Sequence, residues 1–168
     1  MTPWPPFPRD IEADPCAAAL RVRLEADAAP LWARGTTLAP SVHAGDALLR
    51  ALAHAARDGA LVLGLEAATA ALDSEEAGLA ALASRDKKAR TARVSRVLLL
   101  ASDGAERFYR AAESLTRAHA TRLLACRLDA PAETLGRHVL GRPASVKAVL
   151  VHRKGAVSAV LRAIAGAA

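Results

Sequence analysis

Aromatic side chains are nearly missing from this chain of 168 residues, which holds two Trp, two Phe and one Tyr. Its core must be layered from Leu, Val and Ala, and alanine lets helices approach a sheet closely, so a mixed α/β or all-α protein is expected rather than an all-β one. Cysteine is as scarce. Cys16 and Cys126 stand far apart and match no metal-ligand spacing, which argues against a disulfide framework or a zinc site and fits a reducing, intracellular compartment. No stretch approaches the roughly 18 to 20 uncharged apolar residues that a membrane span requires. The start, MTPWPPFPRDIEADP, has no apolar run and is broken by Pro3, Pro5, Pro6 and Pro8, so it reads as neither a signal peptide nor an anchor. A soluble protein is expected, without a membrane partner.

Acidic residues are absent from 137–162, which carries a net charge of +6, and one Asp faces six Lys or Arg in 85–96 (RDKKARTARVSR, net +5). Residues 1–84 carry −5 and 97–136 balance. All the basic excess of a chain of net charge +6 therefore sits in two places. A polyanion-binding face needs such segregation, because each neutralised phosphate releases condensed counterions. A solvated loop and a solvated helix face are the plainer explanation.

What is plentiful is the aliphatic residue, at helical and strand spacings. Residues 1–45 are rich in Pro and acids and read as an N-terminal extension that wraps the domain or meets a partner. Within it, CAAALRVRLEADAAPLW lacks a clear period. Leu48, Leu49, Leu52, Ala55 and Ala56 mark a helix opened by Asp46 and stopped at Asp58-Gly59. Ala60–Leu63 reads as a buried strand, followed by a short helix, Leu65–Leu72. Residues 73–93 read as an insertion with at most a helical turn at Gly78–Ala83. Val94–Ala101 is the strongest strand, and Asp103 with Glu106 forms a capping-box pattern for a helix whose stripe is Phe108, Ala111, Leu115 and Ala118. Thr121–Leu128 and Val146–Val151 complete a set of four strands, with helices from Pro131 to Leu140 and through Val157, Val160, Leu161 and Ile164. The expectation is one domain over 46–168, an α/β three-layer α-β-α sandwich with a four-stranded mixed sheet.

Three pieces resemble the ribosomal L-seven-Ae / L-thirty-e family: LVLGLEAATAAL (Leu61–Leu72), VLLLASDGAE (Val97–Glu106) and TLGRHVLGRPASVKAVLV (Thr134–Val151). The third is the most specific, with Leu135-Gly136, then Gly141-Arg142-Pro143 and an apolar strand. The resemblance implies an RNA-binding protein of the kink-turn group. The family pattern Gly-Thr-Asn-Glu-Val-Thr-Lys reads here as Gly64 to Ala70: Gly64 and Thr69 remain, while Glu66, Ala67 and Ala70 replace the Asn, Glu and Lys. Base-edge readout loses those groups, and contact shifts to phosphate. The degenerate pattern, the insertion and the Trp4-Pro5 motif are most similar to the branch of accessory subunits of ribonuclease P and ribonuclease MRP. That branch implies tRNA and rRNA processing, other protein subunits as partners, and a nuclear or nucleolar location. A ribosome-associated or bacterial-type member of the family, cytoplasmic in location, and a protein-interaction module that has lost RNA, stay open as alternatives.

The candidate RNA-contacting residues are Gly64, Glu66, Thr69, Arg85, Lys87, Lys88, Arg90, Arg93, Arg137, Arg142, Ser145, Arg153 and Lys154. Arg137, Lys147, Arg153 and Lys154 are expected to extend one patch around Arg142. The candidate catalytic or ligating groups Asp103, His119, Cys126, Asp129, Glu133, His138 and His152 show no nucleophile elbow, phosphate loop or His pair at i, i+4. Neither an enzyme nor a bound cofactor is expected.

Overall fold

A computed structural model describes residues 2–85 and 91–166. In chain order the elements are α1 (Arg9–Glu12), α2 (Ala17–Ala26), β1 (Ala28–Pro30), β2 (Leu38–Val42), α3 (Asp46–Arg57), β3 (Leu61–Leu63), α4 (Leu65–Arg85), β4 (Arg96–Leu100), α5 (Glu106–Ala118), β5 (Leu123–Leu128), α6 (Ala132–Leu140), β6 (Ala148–Val151) and α7 (Lys154–Gly166). The strands form one mixed sheet in the order β1-β2-β5-β4-β6-β3. Strands β2, β5 and β4 run parallel, and the remaining neighbours pair antiparallel.

Alternation along the central strands splits the core in two. Val97, Leu99, Leu124, Cys126, Val149 and Val151 face one way, against buried residues of α1, α2, α3, α6 and α7. Leu98, Leu100, Leu123, Ala125, Ala148 and Leu150 face the other, against Ala68 and Leu72 of α4 and Tyr109, Ala112 and Leu115 of α5. Helices on both faces explain why these strands read as unbroken apolar runs, and each fully buried Leu contributes about 2 kcal/mol of transfer free energy.

The sheet has six strands, not the four expected from sequence. The four expected strands are β3 to β6, and the additional pair, β1 and β2, comes from residues 28–42. AAP and LAPSV lack the β-branched, alternating character that marks a strand locally. They become strands through tertiary pairing, where Ser41 and Val42 align with Arg127 and Leu128 of β5. Residues ahead of them join the same core: Trp4, Phe7, Ile11, Leu20 and Leu24 are buried among Val97, Leu99 and Ile164.

Three local readings also change. The helix expected to end at Leu72 continues to Arg85, because its acids have distant partners. Glu75 accepts from Arg122 at 2.6 Å and from Arg96 at 3.0 Å, and Asp73 meets His119 at 3.0 Å. Arg122 is only 3% exposed and also donates to the Leu72 carbonyl at 2.8 Å; a buried cation requires such pairing. Asp103 caps α6 rather than α5, its Oδ1 accepting the Ala132 amide at 2.9 Å. The buried stripe of α5 is Tyr109, Ala112, Leu115 and Thr116, with Phe108 at its margin. The Tyr109 hydroxyl draws the stripe round by donating to the Ala101 carbonyl at 2.6 Å.

Glu113 holds the segment before β2. Its carboxylate accepts from the Trp32 indole at 2.6 Å and from the Thr36 and Thr37 amides at 2.7 Å each. Burial would raise this carboxyl, but the Thr37 amide, the Trp32 indole and the Thr36 amide hold it at about 2.

Two outcomes are expected. Arg122→Ala should destabilise the protein by about 3 kcal/mol, seen as a lower urea midpoint, and should speed amide exchange over 73–85. The depressed Glu113 carboxyl contributes stability that is complete above the ordinary value of 4.5 and is lost as pH falls toward about 2. The melting temperature of Glu113→Gln should therefore fall less than that of the native chain across that acid range.

Candidate nucleic-acid interface

Strand direction decides which candidate residues meet. β3 and β4 both run antiparallel to β6, with Leu63 opposite Val149 and Leu100 opposite Ala148. The turn after β3, the loop after β4 and the loop leading into β6 therefore emerge at one edge. Two backbone bonds join them there: Gly64 N–H to the Ala148 carbonyl and Ala101 N–H to the Lys147 carbonyl, both 2.8 Å.

At this edge Gly64 turns the chain from β3 into α4 with φ +91°, a conformation open to glycine at little cost. Glu66 is exposed in the first turn of α4. Thr69 spends its hydroxyl within the helix, donating to the Leu65 carbonyl at 2.8 Å. Across from them, α6 ends in Gly141 at φ +66°, and the loop folds back onto the helix. A Cβ on Gly136 would lie 2.1 Å from the Ala144 carbonyl oxygen, and the Val146 amide donates to the Ala132 carbonyl at 2.9 Å. Arg142 and Ser145 are exposed on that loop. Arg137 is exposed on α6 and pairs with Glu133 at 3.0 Å.

The edge is electrostatically mixed. Arg142 and Lys147 share it with Glu66 and with Asp129, whose carboxylate meets His43 at 2.7 Å and the Ala44 amide at 2.6 Å. Burial raises Asp129, but those two contacts outweigh it and lower its pKa. The α4 N-terminus offers amide donors to a phosphate, while Glu66 opposes an anion there.

Arg93, Arg153 and Lys154 lie at the opposite end of the sheet. β4 begins at Arg96, and Val97 pairs with Val151, the last residue of β6. Arg93, just before β4, and Arg153 and Lys154, just after β6, are therefore separated from Arg142 by the length of the strands. That is about 16 Å for five residues. Arg153 and Lys154 do not extend the Arg142 patch. α4 reaches this second end by Glu75, which touches Arg96, and continues to an exposed Arg85. Lys87, Lys88 and Arg90 lie outside the described residues.

At the second end a groove of about 370 Å³ is lined by Arg9, Arg93, Arg96 and Lys154, with Pro8, Val94 and Val157 among its apolar residues. Arg93 donates to the Phe7 carbonyl, and the Val94 amide donates to the Pro6 carbonyl at 2.8 Å. Arg96 closes the basic run 85–96 seen in the sequence, whereas Arg9 carried no such signal. Arg9 sits in a net-acidic stretch and reaches the groove only through folding.

The groups weighed for catalysis occupy separate places. Asp103 caps α6, His119 packs on α4 through Asp73, and His138 Nδ1 meets the Thr134 carbonyl at 2.8 Å. The Cys126 thiol is buried in β5 and pushed up to about 12 by that burial. No helix among the described residues is long and apolar enough to cross a membrane. No protein-family model matches the chain, and no curated protein matches it.

Gly136→Ala should destabilise the protein by about 1 to 3 kcal/mol, because the added methyl meets backbone rather than a movable side chain. Amide chemical shifts over 141–147 should move with it; an unaltered loop with native stability would contradict the close approach.

Proposed function

We propose that this protein is a non-catalytic RNA-binding subunit of a ribonucleoprotein. The observation that carries the reading is the meeting of three segments at the start of β6: the Gly64 amide bonds the Ala148 carbonyl, and the Ala101 amide bonds the Lys147 carbonyl at the end of the 141–147 loop. These are the pieces whose residues resemble the L-seven-Ae family, and they converge from positions some eighty residues apart.

The chemistry available at this edge is phosphate contact rather than base reading. Arg142 supplies a planar fork of donors suited to a phosphate, and the first amides of α4 add a partial positive charge. Thr69 has its hydroxyl committed to Leu65, and Glu66, Ala67 and Ala70 carry none of the family's recognition groups. Affinity then rests on backbone shape and charge, with specificity supplied by the particle in which the protein sits. A structured RNA and neighbouring protein subunits are the partners this implies. The resemblance to accessory subunits of ribonuclease P and ribonuclease MRP gives the particle, and with it a nuclear place and a part in tRNA and rRNA processing.

The exposed acid at Glu66 favours one alternative, a protein-interaction module of the same fold. Recovery from cells with and without nuclease separates the two: an enriched structured RNA supports the subunit reading, and protein partners that survive nuclease support the module. In vitro, Arg142→Glu should weaken binding to that RNA by about tenfold or more and flatten its salt dependence. Glu66→Asn should tighten it a few fold by removing a like charge from the helix N-terminus, an effect of about 0.3 to 1 kcal/mol. Unchanged affinity in both variants would overturn the proposal.

A further inference from the structure

We propose a second phosphate-binding site, at the end of the sheet opposite Gly64 and Arg142, that takes the backbone of a polynucleotide chain. The inference rests on the RNA-binding reading above and extends it from one contact surface to two.

The groove of about 370 Å³ is built from three separate stretches of chain: Pro8 and Arg9, residues 91–96, and Lys154 with Val157. Its lining contains four cationic side chains and no carboxylate. The acids nearby are shared: Asp10 lies within electrostatic reach of Arg162 and Lys154 together. Asp10 bonds Arg162 at 3.4 Å, and Glu75 is shared between Arg96 and Arg122. Among the described residues, Arg9, Arg93 and Lys154 make no ion pair. Arg93 gives one donor to the Phe7 carbonyl and Lys154 lies within electrostatic reach of Asp10, while Arg9 has neither contact, so the group keeps a net positive charge toward the groove.

Shape and surface agree with that charge. The buried Pro8, Val94 and Val157 form the apolar wall beneath the groove, and the aliphatic stems of the arginines and Lys154 give a sugar its packing surface while the phosphates meet their charged ends. The volume falls within the range of sites that hold ligands of nucleotide size. Lys154 and Val157 belong to the first turn of α7, which carries no acid, in contrast to the first turn of α4 with Glu66. The helix end adds partial positive charge to the same wall. This end gathers four cations around one groove, whereas the other sets Glu66 and Asp129 beside Arg142 and Lys147.

The separation has a mechanical meaning. Since β4 alone spans about 16 Å, one phosphate cannot serve both ends. An RNA that touches both must present two backbone segments, and the protein then clamps the RNA rather than reading one motif.

Fluorescence anisotropy with an end-labelled uridine homopolymer and an end-labelled RNA hairpin tests this, comparing the native chain, Arg9→Glu/Lys154→Glu and Arg142→Glu. Arg9 and Lys154 are exposed, and a circular-dichroism melt checks that the double variant folds. The double variant should lose about tenfold or more in affinity and reduce the salt slope for the homopolymer by about 1.4, the value for two phosphates on a single strand. Native affinity and slope in a folded double variant, with Arg142→Glu impaired, would overturn the second site and leave the RNA-binding reading standing. Failure of the native chain to bind either RNA would overturn both. Free UMP is the control for source: weak competition supports a polynucleotide site, and tight binding of UMP alone that depends on Lys154 would overturn that assignment in favour of a mononucleotide pocket.

Discussion

The reversal of β6 between β4 and β3 is the constraint from which the functional geometry follows. Because β6 runs against both neighbours, the loop before it must lie beside the end of β3, and the residues after it must leave at the other end. The same pairing that brings Arg142 to the same end of the sheet as Gly64 carries Arg153 and Lys154 away from it. Two basic positions only eleven and twelve residues apart in sequence are thereby sent to opposite ends of a buried strand whose residues are all apolar. Register is held by pairing on both sides, Val149 lying opposite Leu63 on β3 and Leu99 on β4.

Much of this sheet was legible along the chain. β4, β5 and β6 are buried on both faces, and such strands announce themselves as runs of Val, Leu and Ala. β1 and β2 do not, because their alanines and prolines express no preference until β5 offers an edge. The second half of α4 was hidden for a related reason. Asp73, Glu75 and Glu76 look misplaced next to their neighbours in sequence, and their sense comes from His119, Arg96 and Arg122. A charge whose partner is some twenty to fifty residues away carries no local signal.

The candidate interface was legible in the same uneven way. Gly64, Gly136 and Gly141 stood out in the sequence as positions of the family resemblance, and in the structure they are two left-handed turns and one close approach. Composition located the basic segments but not their relation, since charge counted along a chain does not say on which end of a strand it emerges. It was also blind to Arg9, whose neighbours are acidic and whose place beside Arg93 is decided by Phe7, Ile11 and Val94 packing into one core.

Helix α4 gives the molecule an asymmetric outline. At 21 residues it is about 31 Å long, roughly twice the run of the strands it crosses. Its buried contacts stop at Leu72, and the turns from Ala80 to Arg85 are exposed all round. The helix is thus an arm packed through Ala68 and Leu72, held at its midpoint by Glu75 and exposed over its last turns. Rate of encounter with a charged polymer depends on how far a favourable potential reaches into solution. A cation mounted on such an arm samples a larger capture volume than the same cation flush with the surface, and it can make the first touch before any shape is matched.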